Sequence, residues 1–312
     1  MAAIPISLMI GTPISGLLLR ADGVLGLRGW QWMFILDALP AILLAFAVPF
    51  VLPDGPRQAK WLTPDERESL TRRLAAERHA RDAVRRYSVM QALRDPRVLS
   101  LALAYFGMNG LGGGLTAFLP QILRTFGLSN TQSSLVAIIP YFVAVLGMTM
   151  LGWYADRAGQ RKTAAVVSLL IAAAGLAGTA MTDSPPLKLA VLSFACIGVF
   201  GCMPVFWGLP TAFLSGPAAA AGLALINALG SLSNFFNTWA IGRIRDMTES
   251  YDGGLLELAG MATLAAIVVM SLRHDVRQER SRVPAAPSHG ALTITSARRC
   301  LGGFFRAQVD AC

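Results

Sequence analysis

Eight apolar runs, each 18 to 24 residues long, follow one another through this chain. They are Ala2 to Leu19, Trp32 to Leu52, Val98 to Leu119, Leu135 to Trp153, Ala164 to Met181, Leu189 to Leu209, Ala218 to Ile241 and Leu255 to Leu272. A helix rises about 1.5 Å per residue, so about 20 apolar residues are needed to cross the hydrocarbon of a bilayer. The runs therefore predict an all-α, polytopic membrane protein with eight transmembrane helices. The first run does not read as a signal peptide: no basic segment precedes it, Pro5 and Pro13 interrupt it, and no small-residue cleavage site follows.

Charge says which way the chain threads. Only 14% of the residues are charged, against about a quarter in soluble domains, which disfavours a soluble enzyme. The net charge of +9 would suit a nucleic-acid binder if it were clustered for that purpose. Instead, 21 of the 27 Lys and Arg fall in the loop between the second and third runs, in the loop Tyr154 to Thr163 and in the tail after Leu272. The other six (Arg20, Arg28, Arg124, Lys188, Arg243 and Arg245) lie on the opposite side. By the positive-inside rule the first side is cytoplasmic, with both termini inside a bacterial inner membrane. The lipid bilayer is the expected partner, and nucleic acid is not.

Cofactor chemistry finds no support in the residues. Cys196, Cys202, Cys300 and Cys312 lack metal-ligand spacing, and His79, His274 and His289 all fall in cytoplasmic segments. No metal, cofactor or catalytic constellation is expected. The charges inside the runs are Asp37 and Glu257, each near a predicted outer end.

The polar stretch 53–96 separates two runs from six and reads as a cytoplasmic connector. Within it Thr63, Pro64 and Glu66 predict a helix start, with Thr63 as N-cap and Glu66 closing a capping box; the surface helix should run to about Arg86. Residues 273–312 are expected to be a disordered cytoplasmic tail. The expected domains are thus 1–52, 53–96, 97–272 and 273–312. Between the fourth and fifth runs lies Gly152-Trp-Tyr-Ala-Asp156-Arg157-Ala-Gly159-Gln-Arg161-Lys162, a tight turn in which glycine permits positive φ. There Asp156 is expected to cap the next helix or pair with a basic neighbour, and Arg161 and Lys162 to hold the turn at the inner surface.

That loop resembles the signature of the major facilitator superfamily. Further stretches are similar to its anion:cation symporter branch: Gly29-Trp30-Gln-Trp32-Met-Phe34, Leu52-Pro53-Asp54, the Trp61 to Glu66 run and Phe206-Trp207-Gly-Leu-Pro210-Thr211. The resemblance covers roughly Ala2 to Leu272 and implies that the eight runs are helices five to twelve of that fold. Residues 1–52 would be the last two helices of the N-terminal bundle and 97–272 the C-terminal six-helix bundle. The activity implied is proton-coupled uptake of a small organic acid anion by alternating access, by a monomer without cofactor. Nothing corresponds to the family's first four helices, so a truncated transporter is expected; a fragment that does not transport, or that partners a full-length relative, is the alternative. Phe235-Phe236-Asn237-Thr238 also replaces small residues and Gly-Pro of relatives, which predicts looser packing late in the seventh run.

Polar groups are costly in lipid unless they face a cavity or another helix, which selects the site residues. In the third run these are Tyr105 and Asn109, beside Gly110-Leu-Gly112-Gly113-Gly114, a run that should weaken the helix and suits the bent gating helix of the family. Asn227, Ser231 and Asn234 share one face of the seventh run, and Asn227 matches a substrate-contacting position in the family. Trp207, between Pro204 and Pro210, offers an apolar face and one N–H donor, and Tyr141 follows Pro140. Asp37 is a weak candidate for proton coupling; its position near Trp30 and Trp32 favours a structural acid at the interface.

Overall fold

The computed structural model describes residues 1–59, 62–83, 90, 94–210 and 216–272, without the side chains of 77–83 and 216–219. The expected tail 273–312 and the connector helix beyond residue 83 lie outside the described residues.

Ten α-helices and no strand occur among the described residues: α1 (Ala3–Leu18), α2 (Gly29–Val51), α3 (Pro64–Ala83), α4 (Pro96–Arg124), α5 (Asn130–Val136), α6 (Ile138–Ala158), α7 (Arg161–Ala180), α8 (Pro185–Trp207), α9 (Gly216–Thr248) and α10 (Asp252–Ser271). The chain is all-helical, as its runs predict. The count of eight spans is not confirmed. Among the described residues, six helical segments are long and apolar enough to cross a membrane: α2, α4, α5 with α6, α7, α8 and α10. The first run forms a helix of only 16 residues, about 24 Å long. The seventh lies in α9, which is 33 residues long and whose first residues, 216–219, have no described side chains.

Helix ends follow local chemistry. At the start of α3, the Thr63 backbone N–H and hydroxyl donate to Glu66 Oε2 at 3.0 and 2.9 Å, and the Glu66 N–H donates to Thr63 Oγ1 at 3.4 Å. This is the predicted reciprocal cap, and it holds the exposed Glu66 carboxyl below its ordinary pKa, chiefly through the bond from the Thr63 backbone. Asp95 caps α4 by accepting from the Arg97 N–H at 2.8 Å, with Pro96 in the first turn. The glycine run does not break α4, which is one continuous helix. Tertiary packing outweighs the propensity cost there, because the missing side chains let α9 approach.

The six-helix body is built around α4, which packs on α9 and α10, and α8, which packs on α6 and α7; α7 also packs along α10. α1 lies against α5 and α6. A Cβ at Gly16 would fall 2.5 Å from Ser134 Oγ, and Arg20 Nε donates to Thr131 Oγ1 at 2.9 Å, so α1 is pinned to α5 at this end. α2 is held to α1 by Ser15 Oγ, which donates to the Asp37 carboxylate at 2.9 Å. Gly29 is its one buried residue, leaving Phe34, Leu43, Phe46 and Phe50 exposed.

Candidate functional site

Three helices meet where the polar and aromatic residues of the spans converge. Tyr105 of α4 stacks on Phe206 of α8 with ring centroids 5.1 Å apart, and meets Trp207 edge-on at 5.0 Å. Its ring fills the space beside Gly230 of α9, where a Cβ would collide with it. One turn along α4, Asn109 Nδ2 donates to the Gly230 carbonyl at 3.0 Å. Ser233 Oγ donates to the same carbonyl at 2.5 Å.

The sequence fits this junction for local reasons. α8 ends at Trp207 with Gly208 as its C-cap, so the indole stands at a helix terminus, three residues after Pro204. Tyr105 is buried, whereas Asn109 and Trp207 are half-buried. The Tyr105, Asn109 and Trp207 side chains carry no charge, but the Arg161 side chain lies against Gly208, the residue after Trp207. The arrangement can present an aromatic wall, an indole and an amide to a ligand, with the Arg161 guanidinium beside Gly208 at the end of α8.

The structure thus brings Tyr105, Asn109 and Trp207 together. Tyr141 goes elsewhere: it is 1% exposed and packs edge-on against Phe200 of α8 at 6.1 Å. Asn227 and Ser231 are exposed on α9 and Asn234 is half-buried. Asp37 stands on α2 with Ser15 as its partner.

Asn237 reverses an expectation. The seventh run was expected to pack loosely there, yet Asn237 is 3% exposed and its amide lies against Gly110 of α4, as that of Asn234 lies against Gly113. Glycine on α4 accommodates the two amides, whereas Phe235 and Phe236 are exposed. The signal available in the sequence was the pair of spacings, Gly110 with Gly113 and Asn234 with Asn237, each i to i+3.

At the other candidate region, the loop after α6, Gly159 adopts φ 59° and closes the helix as the sequence predicts. Asp156 pairs with Arg161 at 3.2 Å rather than capping α7, whose N-cap is Gln160 without a side-chain bond. Arg157 lies over the Trp153 ring at 5.2 Å. Gly152 has open space around it. Lys162 Nζ donates to the Leu272 carbonyl at 2.6 Å, and the Arg161 side chain lies against Gly208. The loop therefore fastens the ends of α8 and α10 together.

Comparison with known proteins places this geometry in context. The model of the family described as the Major Facilitator Superfamily matches residues 1–238. Two relatives from Agrobacterium vitis, both named "Putative tartrate transporter", are 43% identical over 87% of this chain and 60% of the relative, and 41% identical over 91% and 65%. The chain thus spans about three fifths of the length of these relatives. Among solved structures, the proton:xylose symporter XylE superposes with a TM-score of 0.65 at 19% identity, covering 85% of this chain and 61% of that one; at that identity it speaks for the fold alone.

Proposed function

The chain belongs to the major facilitator superfamily, and from that premise we propose that it serves in secondary active transport, taking up a small hydroxylated organic acid anion together with protons. It is a membrane transporter chain and not an enzyme. The finer reading is supported chiefly by the 43% identity to a relative whose name assigns it tartrate. The junction agrees with it in kind: transport by alternating access needs hydrogen bonding and helix movement, not a covalent step.

In this reading Asn109 offers its amide to a carboxylate or hydroxyl, exchanging the Gly230 carbonyl for the substrate. Trp207 and Tyr105 form the wall against which the carbon skeleton lies. Asn227 and Asn234 line the same passage from α9, whereas Tyr141 is packed against Phe200 away from the junction. Asp37 is at most a proton carrier at the edge, since Ser15 already occupies its carboxylate. The Asp156 to Lys162 loop, with Gly152 and Gly159, couples the helix ends on the cytoplasmic side, and the Lys and Arg distribution supports both termini being inside.

The test is uptake of labelled L-tartrate by cells producing the chain, with and without a protonophore. Expected is uptake above that of cells lacking the chain, abolished by the protonophore and lowered in Asn109→Ala and Trp207→Ala. Uptake no greater than in control cells, with the protein present in the membrane, overturns the proposal.

A further inference from the structure

Two amides on consecutive turns of α9 have no hydrogen-bond partner for atoms that are fully buried. These are Asn234 Oδ1 and Asn237 Nδ2, one an acceptor and the other a donor. Buried polar atoms in native proteins are rarely left unpaired, and each such atom calls for an explanation. Both amides are turned toward α4, against the backbone at Gly113 and Gly110. Asn237 as a whole is 3% exposed.

We propose that Asn234 and Asn237 form a recognition site for a substrate hydroxyl, covered by the glycine face of α4 in this conformation and uncovered when α4 moves away from α9. A hydroxyl both donates and accepts, so a single one satisfies an amide oxygen and an amide N–H together. The two residues lie three apart, about 4.5 Å along the axis, within reach of one hydroxyl or of two on adjacent carbons. Ser233, the neighbouring polar side chain, already uses its hydroxyl on the Gly230 carbonyl. The unpartnered Asn234 Oδ1 is an acceptor only, which takes a hydroxyl but repels an ionised carboxylate.

The consequence is selectivity. A site built to hydrogen-bond a hydroxyl rejects the analogue that lacks it, because its polar atoms are then left unpaired. The inference rests on the organic-anion reading above and names what part of the substrate this chain reads.

The experiment compares binding of L-tartrate and of succinate, the same dicarboxylate without hydroxyls, to the purified chain in nanodiscs. The wild type is expected to prefer tartrate by about tenfold or more. Asn234→Ala and Asn237→Ala should bring the two acids toward parity while succinate binding persists, which also shows that the variants are folded. Asn237→Ser, which retains a hydroxyl, should keep part of the preference. Equal binding of both acids by the wild type, or an undiminished tartrate preference in both alanine variants, overturns the site alone. Loss of both acids in Asn237→Ser as well as Asn237→Ala assigns Asn237 to packing and also overturns it. A wild type that binds neither acid overturns the transport reading beneath it.

Discussion

Asn109 donates its side-chain N–H to the backbone carbonyl of Gly230 across 3.0 Å, joining positions 121 residues apart. The bond ties α4 to α9 beside the Tyr105 and Trp207 rings. Ser233 donates to the same carbonyl, so removing the Asn109 amide would not strand it.

Asn109→Ala should therefore destabilise the protein only modestly. Hydrogen bonds between membrane helices contribute about 0.6 kcal/mol on average, and the cost should be of that order. Thermal unfolding of the purified protein in detergent measures it; a loss several times larger would mean that Asn109 is chiefly a structural tie.

The glycines of α4 make a sharper prediction. A methyl at Gly110 meets the Asn237 amide and one at Gly113 meets that of Asn234, so either Gly→Ala change should cost about 1–3 kcal/mol by overpacking. Gly152→Ala, with nothing within 4 Å, should instead gain about 0.5–1 kcal/mol from helix propensity. Opposite shifts in the unfolding temperature are expected, and Asn237→Ala should relieve Gly110→Ala when the two are combined.

Lys162 should act at a distance in sequence but not in space. Its bond to the Leu272 carbonyl places a cation on the C-terminal end of α10, an arrangement that contributes about 0.3–1 kcal/mol. In Lys162→Ala the last turn of α10 should exchange its amide hydrogens about two- to fivefold faster, with the Lys188 to Asp252 pair at the opposite end unaffected. Equal protection in both proteins would deny the contact.

Acid should loosen the start of α3. The Glu66 pKa is lowered by its bonds from Thr63, so its contribution is present above the unfolded-state value and is lost as the pH falls through the lowered one. An NMR titration of the Glu66 side chain should give a lower midpoint in the wild type than in Thr63→Ala. Coincident midpoints would show that the capping box is absent in solution.

The amino-acid sequence alone determined the helical class and the membrane setting, because a bilayer demands long apolar runs whatever their neighbours. It also determined the Thr63 to Glu66 cap and the turn at Gly159, since those bonds and dihedrals span only a few residues. The meeting of Tyr105, Asn109 and Trp207 was partly legible, as polar and aromatic groups in lipid must turn inward. Which partners they find was not, because Gly230 and Phe206 come from helices far along the chain. Tertiary structure alone decided that Tyr141 is buried away from that junction, that the glycine run leaves α4 intact, and that Asn237 seats closely where looseness was expected. In each case the outcome depends on what the facing helix leaves vacant, and no single helix carries that information about its neighbour.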